Sequence, residues 1–251
     1  MEQKTILITG ASSGFGEAMA RLFAASGYRL ILVARRRERL ENLQKELKTD
    51  VYIQQVDVTN RGAVENFFKE LPENFRKIDV LINNAGLAVG LDLAQEASLD
   101  DWEAMIETNN KALVYCTRLA LDNMKERNAG LIINIGSVAG SAPYPKGNVY
   151  GATKAFVRQF SRNLRADLAG TDIKVSVIEP GAAETEFSLV RFRGDAEKAA
   201  AVYKNTRALQ AGDIAKAALW IIEQPLRVNI DAIEIMPIDQ TYAGLVMVRK
   251  E

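Results

Sequence analysis

Residues 4–16 read KTILITGASSGFG, a run of aliphatic and β-branched residues followed by a loop with three glycines. The run is typical of a buried strand, and the amphipathic stretch after the loop is typical of a helix. Gly10, Gly14 and Gly16 allow the backbone to turn tightly and to approach an anionic group at the helix N-terminus. The spacing G-x-x-x-G-x-G at this place predicts a phosphate-binding loop. A tight turn without a ligand is the alternative.

The same alternation of strand and helix continues along the chain. Aliphatic runs predict strands at residues 4–9, 29–34, 51–56, 78–83, 130–136, 173–178 and 231–235. Amphipathic stretches predict helices at residues 14–26, 36–48, 60–70, 99–127, 150–169 and 212–223. Repeated β-α-β units with short connections imply right-handed crossovers and a parallel sheet. We therefore predict an α/β protein: a single doubly wound domain over residues 1–251, with a parallel sheet of about seven strands and helices on both faces.

Residues 181–211 interrupt this alternation. They hold scattered polar residues and only a weak helical pattern. A stretch of this length without clear structure inside an α/β domain is usually functional. It predicts a substrate lid, with a surface insertion as the alternative.

Composition excludes several classes of partner. The chain has 251 residues, 48% apolar and 25% charged, with 32 basic and 32 acidic residues. This balance lacks the basic footprint of a nucleic-acid binder or a polybasic membrane anchor. Apolar runs fall far short of the ~18 residues that indicate a membrane-spanning helix, and the first residues show no signal-peptide pattern. We expect no nucleic-acid or membrane partner and a cytoplasmic location.

Two residue counts restrict the chemistry further. Histidine is absent, and Cys116 is the only cysteine. These counts exclude a Ser-His-Asp triad, a Cys-His nucleophile, a histidine-ligated zinc centre and an intrachain disulfide. We expect no metal site. An enzyme with this sequence must take its proton chemistry from Tyr, Lys, carboxylates or water.

Arginines follow the second predicted strand, in the stretch Ala34-Arg35-Arg36-Arg37. In dinucleotide-binding folds an Asp or Glu at this place reads a ribose 2′-hydroxyl. Guanidinium groups instead match a 2′-phosphate in charge and geometry. Arg35 and Arg36 therefore predict NADP(H) over NAD(H). The alternative is that these arginines are merely solvated at the start of a surface helix, which is a better description of Arg37 and Arg39.

Further candidate cofactor contacts lie in the glycine loop and at strand ends. The loop contributes Gly10, Ser12, Ser13, Gly14, Phe15 and Gly16. The ends of the third and fourth predicted strands contribute Asp57, Val58, Asn84, Ala85 and Gly86. Each strand-end group is equally consistent with an ordinary turn.

Tyr150 and Lys154 are the candidates for proton transfer. Their i, i+4 spacing places both side chains on one face of a predicted helix. A neighbouring ammonium favours the phenolate, so we expect Lys154 to lower the pKa of Tyr150 from about 10. Ser137 ends the fifth predicted strand, where its hydroxyl can hydrogen-bond a substrate oxygen. Ligands of open α/β sheets bind at the carboxyl ends of strands, so these groups should converge on the cofactor cleft. For the Tyr-Lys pair alone, chance spacing on a helix is the alternative.

Together these motifs resemble the short-chain dehydrogenase/reductase family. The family pattern stands at residues 9–16 (T-G-x-x-x-G-x-G), 83–86 (N-N-A-G), 137 (Ser), 150–154 (Y-x-x-x-K) and 180–185 (P-G-x-x-x-T). The resemblance implies a Rossmann fold with Tyr150 as the acid/base. It also implies that Lys154 binds the nicotinamide ribose and that Ser137 polarises the carbonyl.

The family resemblance implies further residues and an assembly. It adds an active-site asparagine, Asn109, with the adjacent Asn110 as the alternative. It adds Pro180, Gly181 and Thr185 to the cofactor contacts, and it implies a homo-oligomer, specifically a tetramer.

Several stretches narrow the resemblance to bacterial NADP-dependent 3-hydroxy acid dehydrogenases acting on L-serine and L-allo-threonine. They are residues 83–90, 144–164, 236–237 and 240–244. This implies hydride transfer between nicotinamide and the 3-hydroxyl or carbonyl of small 3-hydroxy acids. Arg191 and Arg193 in the lid are candidates to hold the substrate carboxylate, because a guanidinium grips a carboxylate in a bidentate manner. Solvated surface arginines are the alternative.

Two other functions remain open at this stage. One is a broad carbonyl reductase for aldehydes and ketones, with the same catalytic residues and an unspecific lid. The other is a non-catalytic NADP(H)-sensing regulator, although the retained Ser137, Tyr150 and Lys154 argue against it.

Overall fold

The structure is a computed structural model that describes residues 3–242, so Ala243 and Gly244 of the last resembling stretch lie outside the described residues. Its strands are β1 (Thr5–Thr9), β2 (Arg29–Ala34), β3 (Val51–Gln55), β4 (Val80–Asn83), β5 (Gly130–Ile135), β6 (Ile173–Pro180), β7 (Ala183–Glu184), β8 (Leu209–Gln210) and β9 (Ala232–Ile235). Seven of them form one parallel sheet in the order β3-β2-β1-β4-β5-β6-β9. Each predicted strand is found within two residues of its expected bounds.

Helices cover both faces of this sheet. They are α1 (Gly14–Ala25), α2 (Arg37–Glu46), α3 (Arg61–Lys69), α4 (Leu99–Ile106), α5 (Ala112–Glu126), α6 (Asn148–Asp167), α7 (Phe187–Arg191), α8 (Ala196–Ala201) and α9 (Ala211–Ile222). The predicted doubly wound Rossmann architecture is confirmed.

The sheet strands are apolar on both sides because each side is covered. Ile6 and Ile8 of β1 pack in one core with α1, α2 and α9, whereas Leu7 packs in a second core with α3, α5 and α6. All three side chains are fully buried. This explains why β1 reads as a continuous aliphatic run rather than as alternating apolar and polar residues.

Strand order reverses beside β1. The chain moves from β1 outward to β2 and β3, then returns to place β4 on the other side of β1. The connections leaving β1 and β4 therefore diverge at the carboxyl edge of the sheet, which creates a crevice there.

The helix predicted over residues 99–127 contains an interruption. A π-helical turn, Glu107–Lys111, joins α4 to α5, and it contains Asn109 and Asn110. Both asparagines are buried, and their side-chain amides bond to groups outside their own helix. π-turns occur frequently at functional sites.

The predicted lid contains more structure than its sequence indicated. Short helices α7 and α8 lie within residues 181–211, and β7 pairs with β8 in parallel through Ala183–Leu209 and Glu184–Gln210. The two-residue strand pair ties the beginning of this segment to its end. The segment is therefore a closed loop above the carboxyl edge of the sheet rather than an irregular insertion.

Two features that would indicate other functions are missing from residues 3–242. No helix there has both the length and the apolar character needed to cross a membrane. The same residues contain no group of three or more metal-ligating side chains placed to hold an ion.

Candidate active site

A cleft of about 860 Å³ opens at the carboxyl edge of the sheet. The predicted residues that line it are Gly10, Ser12, Ser13, Gly14, Phe15, Arg35, Arg36, Asp57, Val58, Asn84, Ala85, Gly86, Ser137, Tyr150, Lys154, Pro180, Gly181, Thr185 and Arg191. Three other predicted site residues, Gly16, Asn109 and Arg193, lie outside its lining. The cleft thus brings groups from both halves of the chain to one place.

The glycine loop is shaped by close contact with the end of β4. Gly10 has φ +67°, and a Cβ atom there would lie 2.9 Å from the Cα of Ala85. A Cβ on Gly16 would overlap the carbonyl oxygen of Gly10, so Gly16 serves this packing rather than the cleft wall. The side-chain amide of Asn84 donates to the Gly10 carbonyl at 3.1 Å. These contacts hold the loop so that the start of α1 faces the cleft.

Arg36 lies against the same loop. Its Nε donates to Ser12 Oγ at 3.2 Å, and one Nη donates to Ser13 Oγ at 2.6 Å. Arg35, which is exposed, lines the cleft beside it. No acidic residue occupies the end of β2, where a ribose-binding carboxylate would stand.

Asp57 forms a turn at the end of a strand and also lines the cleft, so both of the roles considered for it are present. Its Oδ1 accepts hydrogen bonds from the Thr59 backbone N–H (3.0 Å) and hydroxyl (2.8 Å), which forms the turn before α3. Asp57 and Val58 also line the cleft. The turn and the cleft wall are therefore the same structure.

Ser137 and Tyr150 meet in the other half of the cleft. Ser137 Oγ accepts from the Ala139 N–H at 3.1 Å and donates to the Pro180 carbonyl at 3.4 Å, a weak bond. Burial raises the pKa of Tyr150 to about 12, while a hydrogen bond with Ser137 and the positive charge of Arg191 act to lower it. In the free protein Tyr150 is therefore a neutral phenol at pH 7.

Lys154 is 6% exposed, and burial lowers its pKa to about 8. Its Nζ donates to the Ile135 carbonyl at 2.9 Å and lies 5.9 Å from the centre of the Tyr150 ring. The expectation that Lys154 lowers the pKa of Tyr150 is wrong for this structure. Burial raises that pKa, and the ammonium group is directed at a backbone carbonyl.

Asn109 joins the π-turn to the end of β4. Its Oδ1 accepts from the Leu87 N–H at 2.8 Å, and its Nδ2 donates to the Leu87 carbonyl (2.9 Å) and to Thr153 Oγ1 (3.0 Å). A Cβ atom on Gly86 would lie 3.3 Å from Asn109 Oδ1 and 3.5 Å from Lys154 Nζ. Asn110 instead donates to the Thr153 carbonyl at 3.0 Å. Of the two asparagines, Asn109 is thus the one that approaches Gly86 together with Lys154.

Arg191 and Arg193, the two candidate arginines of residues 181–211, contact different parts of the molecule. The guanidinium of Arg191 lies 5.1 Å from the centre of the Tyr150 ring and donates to the Tyr144 hydroxyl at 3.4 Å. Arg193 pairs with Asp101 at 2.5 Å and is mostly exposed. Only Arg191 is therefore in position to contact a molecule beside Tyr150.

Several cleft residues were not singled out by sequence reasoning, and three of them contact predicted site residues. Tyr144 holds Arg191, Phe187 places its ring 5.7 Å from that of Tyr150, and Glu186 pairs with Arg36. Tyr144 opens one of the resembling stretches, and Glu186 and Phe187 directly follow P-G-x-x-x-T. Proximity to those motifs was the available signal, but only the fold shows what these side chains touch.

One cleft connects the glycine loop to Tyr150, which is the arrangement of oxidoreductases that exchange hydride with a bound dinucleotide. Comparison with known families gives the narrower assignment. The chain belongs to the short chain dehydrogenase family, which matches residues 4–194. The family resemblance predicted from the motifs is confirmed.

Individual relatives match nearly the whole chain. NADP-dependent 3-hydroxy acid dehydrogenase YdfG of Salmonella typhi is 56% identical over 241 residues, which cover 96% of this chain and 97% of that protein. Sulfoacetaldehyde reductase 2 of Chromohalobacter salexigens is 47% identical over 247 residues, 97% of this chain and 98% of that protein. A solved structure, the closed form of serine dehydrogenase complexed with NADP⁺, matches with a TM-score of 0.97 at 54% identity. That match covers 98% of this chain and all of the other.

Proposed function

We propose that this protein is an NADP(H)-dependent oxidoreductase that acts on the 3-hydroxyl or carbonyl group of small 3-hydroxy acids such as L-serine or L-allo-threonine. The assignment of the substrate class is based on one observation: the guanidinium of Arg191 lies 5.1 Å from the centre of the Tyr150 ring. A cation beside the proton-transferring group suits a substrate that carries an anion next to its reacting oxygen. The relatives named for 3-hydroxy acids support the same choice.

The residues of the cleft fit NADP(H). The start of α1 faces the cleft, and helix N-termini favour anionic phosphates. We assign the pyrophosphate to the glycine loop and the 2′-phosphate to Arg35 and Arg36. Ser12 and Ser13 hold the Arg36 side chain in place for that contact.

Tyr150 is the proposed acid/base. When bound, the nicotinamide accepts or supplies the hydride, and its oxidised ring brings a positive charge. In oxidation, the Tyr150 oxygen accepts the proton of the substrate hydroxyl. In reduction, Tyr150 returns that proton to the oxygen of the developing alkoxide. Because burial sets the pKa of Tyr150 near 12 in the free protein, oxidation depends on nearby positive charge to stabilise the phenolate.

Ser137, Lys154 and Asn109 support this step. Ser137 donates to the reacting oxygen instead of to the Pro180 carbonyl, and so stabilises the charge that develops there. Lys154, with a pKa of about 8, is mostly protonated at pH 7 and binds the nicotinamide ribose. Asn109 fixes the Gly86–Leu87 backbone beside Lys154 and contributes to the proton relay.

A panel of substrates tests the function directly. Formation or loss of the NADPH absorbance band is followed with L-serine, L-allo-threonine, 3-hydroxypropionate and neutral aldehydes. Turnover of the hydroxy acids with NADP⁺ is the expected result. Turnover of neutral aldehydes alone would identify a broad carbonyl reductase, and cofactor binding without any turnover would identify a cofactor-sensing regulator.

A sulfonated aldehyde is a second candidate substrate. Arg191 can pair with a sulfonate as well as with a carboxylate, and one relative is named sulfoacetaldehyde reductase 2. Comparing sulfoacetaldehyde with a neutral aldehyde of similar size measures this preference. A higher kcat/KM for the sulfonate would place it in the substrate range.

Homo-oligomerisation, with a tetramer as the expected state, is also proposed. Exposed apolar side chains lie on α4 and α6, namely Leu99 (69% exposed) and Phe156 (42%). Apolar side chains left on an exposed helix face favour association. Light scattering after gel filtration gives the subunit number, and a monomer would contradict the proposal.

A further inference from the structure

Glu186 bridges the lid and the arginines beside the glycine loop. It immediately precedes α7, and its Oε2 accepts a hydrogen bond from Arg36 Nη1 at 3.0 Å. Its Oε1 accepts from Arg39 Nη1 at 2.6 Å. The Nε and Nη2 of Arg36 donate to Ser12 and Ser13. The carboxylate of Glu186 therefore takes up Nη1, the guanidinium nitrogen that the two serines do not contact.

The charge on Glu186 persists at neutral pH. Burial acts to raise its pKa, but hydrogen bonds from Arg39 and Arg36 hold that pKa below its ordinary value. The pairs are also exposed, with side-chain exposures of 45% for Arg36, 47% for Arg39 and 38% for Glu186. Exposed ion pairs are weak, so another anion can displace this carboxylate.

We propose that Glu186 determines cofactor specificity by competing with the 2′-phosphate of NADP(H) for Arg36. This inference rests on the proposed role of Arg36 and is independent of the substrate. A carboxylate and a phosphate both seek the same N–H donors, and two anions close together repel each other. Binding of the phosphorylated cofactor must therefore release or displace Glu186, whereas a cofactor with a free 2′-hydroxyl leaves the ion pair intact.

The position of Arg39 supports this competition. Arg39 shares Glu186 with Arg36, so a carboxylate displaced from Arg36 keeps a cationic partner. A different ion pair, Arg193–Asp101, connects the other end of α7 to α4. Closure of the lid thus does not depend on Glu186 alone. Removal of its charge should act on the phosphate rather than on the whole cofactor.

The variant Glu186→Gln tests this directly, with Glu41→Gln as the matched control. Glu41 pairs with Arg37 on α2, the helix that Arg36 immediately precedes. Its substitution therefore removes an equal charge without touching Arg36. Dissociation constants for NADP⁺ and NAD⁺ are measured by titration calorimetry. Glu186→Gln should bind NADP⁺ about three- to tenfold more tightly and NAD⁺ with unchanged affinity. Glu41→Gln should change neither constant.

Two further variants separate this inference from the role of Arg36. Arg36→Gln alone should weaken NADP⁺ binding and leave NAD⁺ binding unchanged. In the double variant Arg36→Gln/Glu186→Gln, the gain from Glu186→Gln should disappear.

If Arg36→Gln weakens NADP⁺ binding but Glu186→Gln does not tighten it, the competition is refuted and the role of Arg36 stands. If Arg36→Gln has no effect on NADP⁺, both are refuted. Equal changes for both cofactors in Glu186→Gln would also overturn the competition, because they would indicate an action through the lid.

Discussion

The two ends of the cleft hold their positive charges in opposite ways. We define the chemical end as Ser137, Tyr150, Lys154 and Arg191, and the phosphate end as Ser12, Ser13, Arg36 and Glu186. Lys154 is 6% exposed and its pKa is lowered to about 8, whereas the Arg36 side chain is 45% exposed and shares its donors among several partners. Burial penalises a charge strongly, and solvent screens an exposed one. Single substitutions should therefore have large effects at the chemical end and graded effects at the phosphate end.

Residues 181–211, the proposed lid, connect these two ends. Glu186 immediately precedes the short helix α7 and pairs with Arg36 at the phosphate end, whereas Arg191 is the last residue of α7 and lies against Tyr150. A single turn of helix thus places one charge at each end of the cleft. The same segment can therefore recognise both cofactor and substrate.

The largest effect is expected for Tyr150→Phe. This change removes only the phenolic oxygen that exchanges the proton, so kcat should fall by about 10²–10⁴-fold. The dissociation constant for NADP⁺ should stay within about twofold of the wild-type value, because the ring and its packing remain. Tyr52→Phe, which removes a phenol that bonds Gln54 on β3, is the control and should retain full activity. Activity above a tenth of wild type in Tyr150→Phe would exclude the proposed role.

The double variant Arg35→Asp/Arg36→Ala tests the phosphate end. Charge-assisted hydrogen bonds contribute about 1.5–3 kcal/mol each, so the preference for NADP⁺ over NAD⁺ should fall about 10–100-fold or invert. The ratio of kcat/KM for the two cofactors measures this preference. Arg37→Ala is the control, since Arg37 pairs with Glu41 away from the cleft. Unchanged selectivity in the double variant would refute the assignment of the 2′-phosphate.

Arg191→Ala tests the charge that the lid presents to the substrate. Loss of a guanidinium–carboxylate pair should raise KM for a hydroxy acid by about 10–100-fold and leave KM for a neutral aldehyde nearly unchanged. Arg193→Ala is the matched control, because Arg193 lies in the same segment but pairs with Asp101 outside the cleft lining. A similar rise in KM for both substrate types would show that Arg191 shapes the lid without binding the carboxylate.

The fold was predictable because its strands are buried on both sides. The aliphatic run of β1 and the glycine spacing after it depend only on local sequence, and both are found as expected. Tyr150 and Lys154 were also predictable, because a spacing of four residues fixes their relation on any helix. The first strand and the shared helix of Tyr150 and Lys154 are found as predicted because local geometry determines them.

Other features depend on contacts between distant parts of the chain. The pKa of Tyr150 could not be predicted from its spacing to Lys154, because the largest cause of its shift is burial, which depends on the whole fold. Arg191 and Arg193 look equivalent in sequence, but Arg191 ends α7 and lies against the Tyr150 ring, whereas Arg193 has φ +53° and pairs with Asp101. Asn109, in the π-turn, likewise bonds to Leu87 and Thr153, which are distant from it in sequence. Such contacts appear only once the chain has folded.

The smallest expected effect concerns stability at the chemical end, and Lys154→Met measures it. The pKa of Lys154 is about 8 in the folded protein and ordinarily 10.5, so unfolding takes up a proton between these pH values. The burial of its charge therefore destabilises the fold fully below pH 8, and this penalty is relieved as the pH rises toward 10.5. Met removes the charge but also loses the bond to the Ile135 carbonyl, so the net gain in the free energy of unfolding at pH 7 should be on the order of 1–2 kcal/mol.

Urea unfolding at several pH values should show this gain in stability shrinking between pH 8 and 10.5, together with loss of activity at every pH. A gain that is independent of pH, or a loss of stability at pH 7, would contradict the argument that burial lowers the pKa of this lysine.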